Sequence, residues 1–86
     1  MQTIMIDGSQ YSSPKELHLA LKRILSLPDY YGFNADALND CLSERRESVN
    51  LWILDPGAGD TADALNTVSR VIQDNGGTVK GMVSLG

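Results

Sequence analysis

Leu27-Pro28-Asp29-Tyr30-Tyr31-Gly32-Phe33-Asn34-Ala35-Asp36-Ala37-Leu38-Asn39-Asp40-Cys41-Leu42 is a loop with two adjacent tyrosines and a glycine, followed by a short helix. Asn34 is a good N-cap residue, so the helix is predicted from there to about Glu44. At about 100° per residue, Asp36, Asn39, Asp40, Ser43 and Glu44 share one side of it. Ala37, Leu38, Cys41 and Leu42 share the other. The helix hides its apolar face and presents an acidic one beside the aromatic loop. Unpaired carboxylates are costly to bury, so this face either stays in water or meets a basic partner.

Upstream, Ser13-Pro14-Lys15-Glu16 has the marks of a helix start. Ser13 can cap, Pro14 suits the first helical position, and Glu16 completes a capping box. Leu17, Ala20, Leu21, Ile24 and Leu25 form one apolar face of this helix. Pro28 is expected to stop it, because the residue before a proline avoids helical geometry. Gln2 to Ile6 reads as a short strand closed by the turn signal Asp7-Gly8.

Downstream, Arg45-Arg46-Glu47-Ser48 is a polar connection. Val49 to Leu54 shows almost no alternation and is predicted to be a strand covered on both faces. Asp55-Pro56-Gly57-Ala58-Gly59-Asp60 is the strongest loop signal in the chain. A further helix should turn Ala64, Leu65, Val68, Val71 and Ile72 inward and stop at Gly76. A last strand is predicted over Thr78 to Leu85, weakened at its centre by Gly81. Strands separated by helices imply parallel pairing with right-handed crossovers. The expected fold is α/β, a small three-stranded parallel sheet packed with three main helices.

Eighty-six residues make one domain, 1–86, with a modest core. The formal net charge of −4 disfavours nucleic acid as a partner and favours a basic protein. The single cysteine, Cys41, excludes an intramolecular disulfide and fits a reducing compartment. The first residues lack the charge and apolar run of a signal peptide, and no stretch is long enough to span a bilayer. A soluble, cytoplasmic protein without membrane attachment is expected.

The chain resembles the barstar family, bacterial intracellular inhibitors of secreted ribonucleases. The resemblance rests on Leu17-His18, Leu21-Lys22, Leu25-Ser26-Leu27-Pro28-Asp29-Tyr30-Tyr31-Gly32, Asn34, Asp36-Ala37-Leu38 and Asp40-Cys41-Leu42. It continues more weakly back to Ile4-Met5-Ile6-Asp7-Gly8 and forward through the strand at Leu51 to the last helix and strand. It implies a proteinaceous inhibitor that plugs the active site of a cognate barnase-like ribonuclease, without chemistry or cofactor. It also implies that Asp40 is the dominant contact, inserted where substrate phosphate would sit, and that Tyr30 faces the nuclease.

That role has a physical basis. A ribonuclease active site stabilises a negative phosphate and is lined with basic side chains. Carboxylates on a rigid helix can satisfy those cations through short, charge-assisted hydrogen bonds at low entropic cost. The candidate partner-binding residues are Tyr30, Tyr31, Gly32, Asn34, Asp36, Asn39, Asp40, Ser43 and Glu44. Gly32 is expected to hold a backbone conformation that a side chain would hinder.

Several positions depart from the family pattern. Asn39 stands where a bulky aromatic is usual. Arg70 and Val71 stand near the place of an acidic contact on the last helix. Arg45 and Arg46 replace apolar residues, at an electrostatic cost near a basic partner unless Glu44 or Glu47 pairs with them. The Gly/Asp loop after Leu54 replaces a short helix. These departures leave open a barstar-like binding module, such as an immunity protein, for a toxin other than a ribonuclease.

A catalytic role finds little support. His18 is the one histidine and is read as lying on a polar flank with Lys15 and Lys22, joined to no nucleophile. Cys41 lies on the apolar side of its helix and is read as a small core residue. Asp36, Asp40 and Glu44 on one helix do not surround a metal ion. The Gly-rich loop lacks the lysine and spacing of a P-loop.

Overall fold

The structure is a computed structural model and describes residues 1–81. Strand β1 spans Gln2–Asp7 and runs into a 3₁₀ turn at Gly8–Gln10 that the sequence reading did not anticipate. Helices α1 (Pro14–Ile24) and α2 (Ala35–Ser43) follow, then strand β2 (Val49–Asp55), helix α3 (Gly59–Asp74) and strand β3 (Thr78–Gly81). The sheet has three strands in the order β1-β2-β3, with both pairings parallel. Ile4 lies opposite Leu51, and Leu51 opposite Val79. Residues 82–85 of the expected last strand lie outside the described residues.

Chain order equals sheet order, so both crossovers step the same way across the sheet. Right-handed crossovers of that kind place their helices on the same face. Burial follows. Ile4, Ile6, Val49 and Leu51 are buried with Leu17, Leu21, Leu38, Leu42, Leu65, Val68 and Ile72 in one cluster. On the other face Met5 is 61% exposed and Leu54 45%. The expectation that β2 is covered on both faces is therefore wrong. Its unbroken apolar run hides an alternation in which Trp52 and Leu54 point away from the helices, Trp52 sheltered by Lys80 at 5.4 Å.

Helix α1 begins as its sequence indicates. Ser13 Oγ accepts from the Glu16 amide at 3.3 Å, and Glu16 Oε1 accepts from the Ser12 amide at 2.9 Å. Its end differs. Ser26 adopts φ 54°, and the Leu27 amide donates to the Lys22 carbonyl at 2.9 Å. This left-handed C-terminal cap closes the helix before Pro28 can act. Ile24, at the frayed end of the apolar stripe, is 38% exposed. Helix α3 ends in the same way. Gly76 at φ 82° lets the Gly77 amide reach the Ile72 carbonyl at 2.9 Å.

Candidate functional site

Asn34 caps α2, its Oδ1 accepting from the Ala37 amide at 2.8 Å while its Nδ2 donates to the Gly32 carbonyl at 3.2 Å. One side chain thus ties the helix start to the preceding loop. With Leu38 and Leu42 buried, the helix is locked in rotation. Asp36, Asn39, Asp40, Ser43 and Glu44 are consequently all exposed along its outer side. Ser43 Oγ donates back to the Asp40 carbonyl at 2.9 Å.

The two tyrosines part company. Tyr30 is 82% exposed, whereas Tyr31 is 3% exposed and belongs to the core. The Tyr31 hydroxyl lies 2.6 Å from His18 Nδ1, and its ring meets Phe33 edge-on at 5.5 Å. A cavity of about 350 Å³ opens between the loop and the helix, lined by Tyr30, Tyr31, Ala37, Asp40, Cys41 and Glu44. Gly32 and Ser43 complete its rim. The site is therefore a concavity with two carboxylates and an exposed aromatic ring at its mouth, a shape and charge suited to a cationic group.

Three sequence readings need correction. Gly32 is not the residue with special backbone geometry. A Cβ there would sit 3.5 Å from Ala37 Cβ and Asn34 Nδ2, an ordinary contact, and it is Phe33 that adopts φ 54°. His18 is buried at 5% exposure rather than on a polar flank. It lies three residues before Leu21 and seven before Leu25, on the same helical stripe, and that spacing was the available signal. Arg45 does not stand out towards a partner. Its Nη1 donates to the Leu25 carbonyl at 2.8 Å and its Nη2 to Gln2 Oε1 at 2.6 Å, clamping the ends of α1, α2 and β1. Asn39 accepts from Asn75 Nδ2 at 2.9 Å, joining α2 to the end of α3. Nothing in the sequence marks Asn75 for that role.

Electrostatics favour a binding surface over chemistry. Burial, then the Glu44 and Asp40 carboxylates, push the Cys41 thiol up, against a smaller opposing pull from Arg45. The thiol therefore stays protonated near neutral pH and is a poor nucleophile. Burial lowers His18, so its imidazole is neutral there. Among the described residues no group of three or more His, Cys, Asp or Glu side chains is placed to hold a metal ion. No described helix is long and apolar enough to cross a membrane.

The profile of one family, described as Barstar (barnase inhibitor), matches residues 1–79. The chain belongs to the barstar family. The parallel sheet and its three helices agree with that membership and with the architecture expected from the sequence. A curated relative, the "Putative ribonuclease inhibitor YrdF" of Bacillus subtilis (strain 168), is 51% identical over 43 residues. That alignment covers 50% of this chain and 47% of the relative, so the chain spans about half the length of the curated protein it matches. The family's description is that of an inhibitor.

Proposed function

We propose that this protein inhibits a basic ribonuclease of the secreted type by laying the acidic side of α2 and the Tyr30 loop over its active site. The observation that carries the reading is the exposed alignment of Asp36, Asp40 and Glu44 beside an 82% exposed Tyr30, with Asp40 and Glu44 lining the cavity between loop and helix. Membership of a family described as barnase inhibitors supports it. Asp40 enters the phosphate site of the nuclease. Asp36 and Glu44 attract the basic partner over distance, and Tyr30 supplies rigid contact area. Tyr31 supports the loop from beneath, Gly32 lies exposed at the cavity rim, and Asn34 fixes the loop to the helix. The whole chain, 1–86, acts as one domain in the cytoplasm of the producing cell and needs no cofactor.

The second reading is an immunity-type binding module for a different toxin. It is favoured by Asn39, which spends its carbonyl on Asn75, and by Arg70 on α3 in the region where the family carries an acidic contact. RNA cleavage by barnase and by a panel of other basic secreted ribonucleases separates the two. Under the first reading an equimolar amount of this protein should bring cleavage by at least one of them to background. Unimpeded cleavage by all of them at large excess would favour the second.

A further inference from the structure

The Gly-rich loop between β2 and α3 has no part in the inhibitory reading, and it borders a second cavity. This cavity, of about 400 Å³, lies at the carboxyl ends of β1 and β2. It shares no lining residue with the one beside α2. Ligands of open α/β sheets bind outside that end of the strands, and the volume is at the small end of the range for small-molecule sites.

Close backbone contact shapes the cavity. A Cβ on Gly8 would lie 2.7 Å from the Asp55 carbonyl oxygen. Gly57 adopts φ 76°, and a Cβ there would lie 3.0 Å from the Gly8 carbonyl oxygen. Asp55 Oδ1 accepts from the Gly57 amide at 2.8 Å and closes the turn. The two segments therefore pack main chain to main chain, so the cavity is set by the fold itself.

Two sets of donors at this cavity lack partners. The N-cap of α3 is Ala58, whose side chain offers no cap, so the first-turn amides of Gly59, Asp60 and Thr61 have no helical acceptor. Thr61 is 3% exposed and lines the cavity, yet its hydroxyl makes no hydrogen bond among the described residues. Further along α3, Thr67 and Ser69 bond back to main-chain carbonyls four residues earlier, at 3.1 and 2.8 Å. Thr61 has no helical turn before it to bond. A buried hydroxyl left in this state costs stability, which a ligand can repay.

We infer that this cavity binds a small neutral polyhydroxy compound through the vicinal diol of a sugar ring, carried by a free monosaccharide or by a nucleoside. The inference goes beyond the inhibitory reading and does not depend on it. The Thr61 hydroxyl and the α3 amides donate to a ligand oxygen, as helix N-termini commonly do. Asp55 lines the cavity and accepts from the diol, the role a carboxylate plays towards ribose hydroxyls in dinucleotide sites. Partly buried Tyr11 offers an aromatic surface to the apolar side of the ring. Charge decides against an anion. Among the described lining residues there is no Lys or Arg and there is one carboxylate, and Asp60 adds another in the first turn of α3. Those two charges oppose the pull of the helix dipole on a phosphate. A hydroxyl group both donates and accepts, which is what this mixture of groups requires.

Amide-resolved NMR titration of the full chain with D-ribose, D-glucose, adenosine, deoxyadenosine and inorganic phosphate tests this. A free sugar or adenosine should shift the Gly57, Gly59, Asp60 and Thr61 amide resonances saturably, and which of them does so separates the two sources. If adenosine is the better ligand, deoxyadenosine, which lacks the diol, should bind roughly tenfold more weakly or worse. Asp55→Asn retains an acceptor for the Gly57 amide but loses the charge, and should weaken binding roughly tenfold. Thr61→Val should weaken it roughly two- to tenfold and leave Tm unchanged or higher, since no described bond is lost. Ala58→Asp should cap α3, raise Tm by a few degrees and abolish the response by occupying the amides.

No saturable shift with any sugar or with adenosine would overturn the inference, as would a response to phosphate alone. Binding that is unchanged in Thr61→Val or in Ala58→Asp would do the same. A clear fall in Tm for Thr61→Val would assign the hydroxyl a structural task and remove the observation on which the inference stands.

Discussion

Asp40→Ala should raise the stability of the free protein while it weakens inhibition, and the opposite signs make the substitution informative. Asp40 is exposed, and its side chain makes no hydrogen bond or ion pair among the described residues. The nearby Ser43 bond goes to its main-chain carbonyl, which alanine retains. Asp36 and Glu44 lie four residues either side, so Asp40 faces like charge in both directions, each worth a few tenths of a kcal/mol. It is six residues beyond the Asn34 cap, outside the first turn where the helix dipole favours a carboxylate. Alanine is also the better helix former by up to about 0.7 kcal/mol. Together these give a gain of about 0.5–1.5 kcal/mol, or a few degrees in Tm for a domain of this size. At the interface the sign reverses. Truncating one partner of a desolvated, hydrogen-bonded charge pair costs about 2–5 kcal/mol, a rise in Kd of roughly thirty- to several-thousandfold. Urea denaturation and titration against barnase, run on the same preparations, read both numbers. A destabilised variant, or one that inhibits as well as wild type, would refute the assignment of Asp40.

Tyr30→Ala should lower affinity with little change in stability, since the ring is 82% exposed, whereas Tyr31→Ala should destabilise by about 3–5 kcal/mol as a buried aromatic. Denaturation and binding measured on both variants would expose a reversal of those roles. The on-rate for a basic nuclease should fall as salt is raised, because the steering charges Asp36, Asp40 and Glu44 are screened over about 8 Å at physiological ionic strength. Stopped-flow rates independent of salt would count against electrostatic steering. Ser26→Gly should stabilise by up to about 1 kcal/mol in thermal unfolding, since Ser26 holds φ 54° at the end of α1. Gly77→Ala should lower Tm sharply, because a Cβ would press on Val49 O, Ile72 Cγ2 and the Ile72 carbonyl. An alanine variant as stable as wild type would show that the junction of α3 and β3 can shift.

The starts of α1 and α2 and the outward side of α2 were legible in the sequence because their determinants are local. Ser13 and Asn34 cap within three residues, apolar spacing sets which side of α2 is buried, and Asp36, Asp40 and Glu44 are left outside by periodicity alone. Alternating strands and helices likewise fixed a parallel sheet, since short-range order and crossover handedness leave few topologies. Contacts between residues distant in the chain had no such signature. The apolar run of β2 did not reveal that its second face is open, because strand order, not strand composition, decides where the helices land. Arg45 reaching Gln2, Asn39 meeting Asn75, and the burial of His18 against Tyr31 each join elements brought together only by packing. A polar side chain on a helix has the same local pattern whether it faces water or another element. The acidic side of α2 was therefore written in the sequence, while the anchor that holds the loop beside it was decided by the tertiary structure.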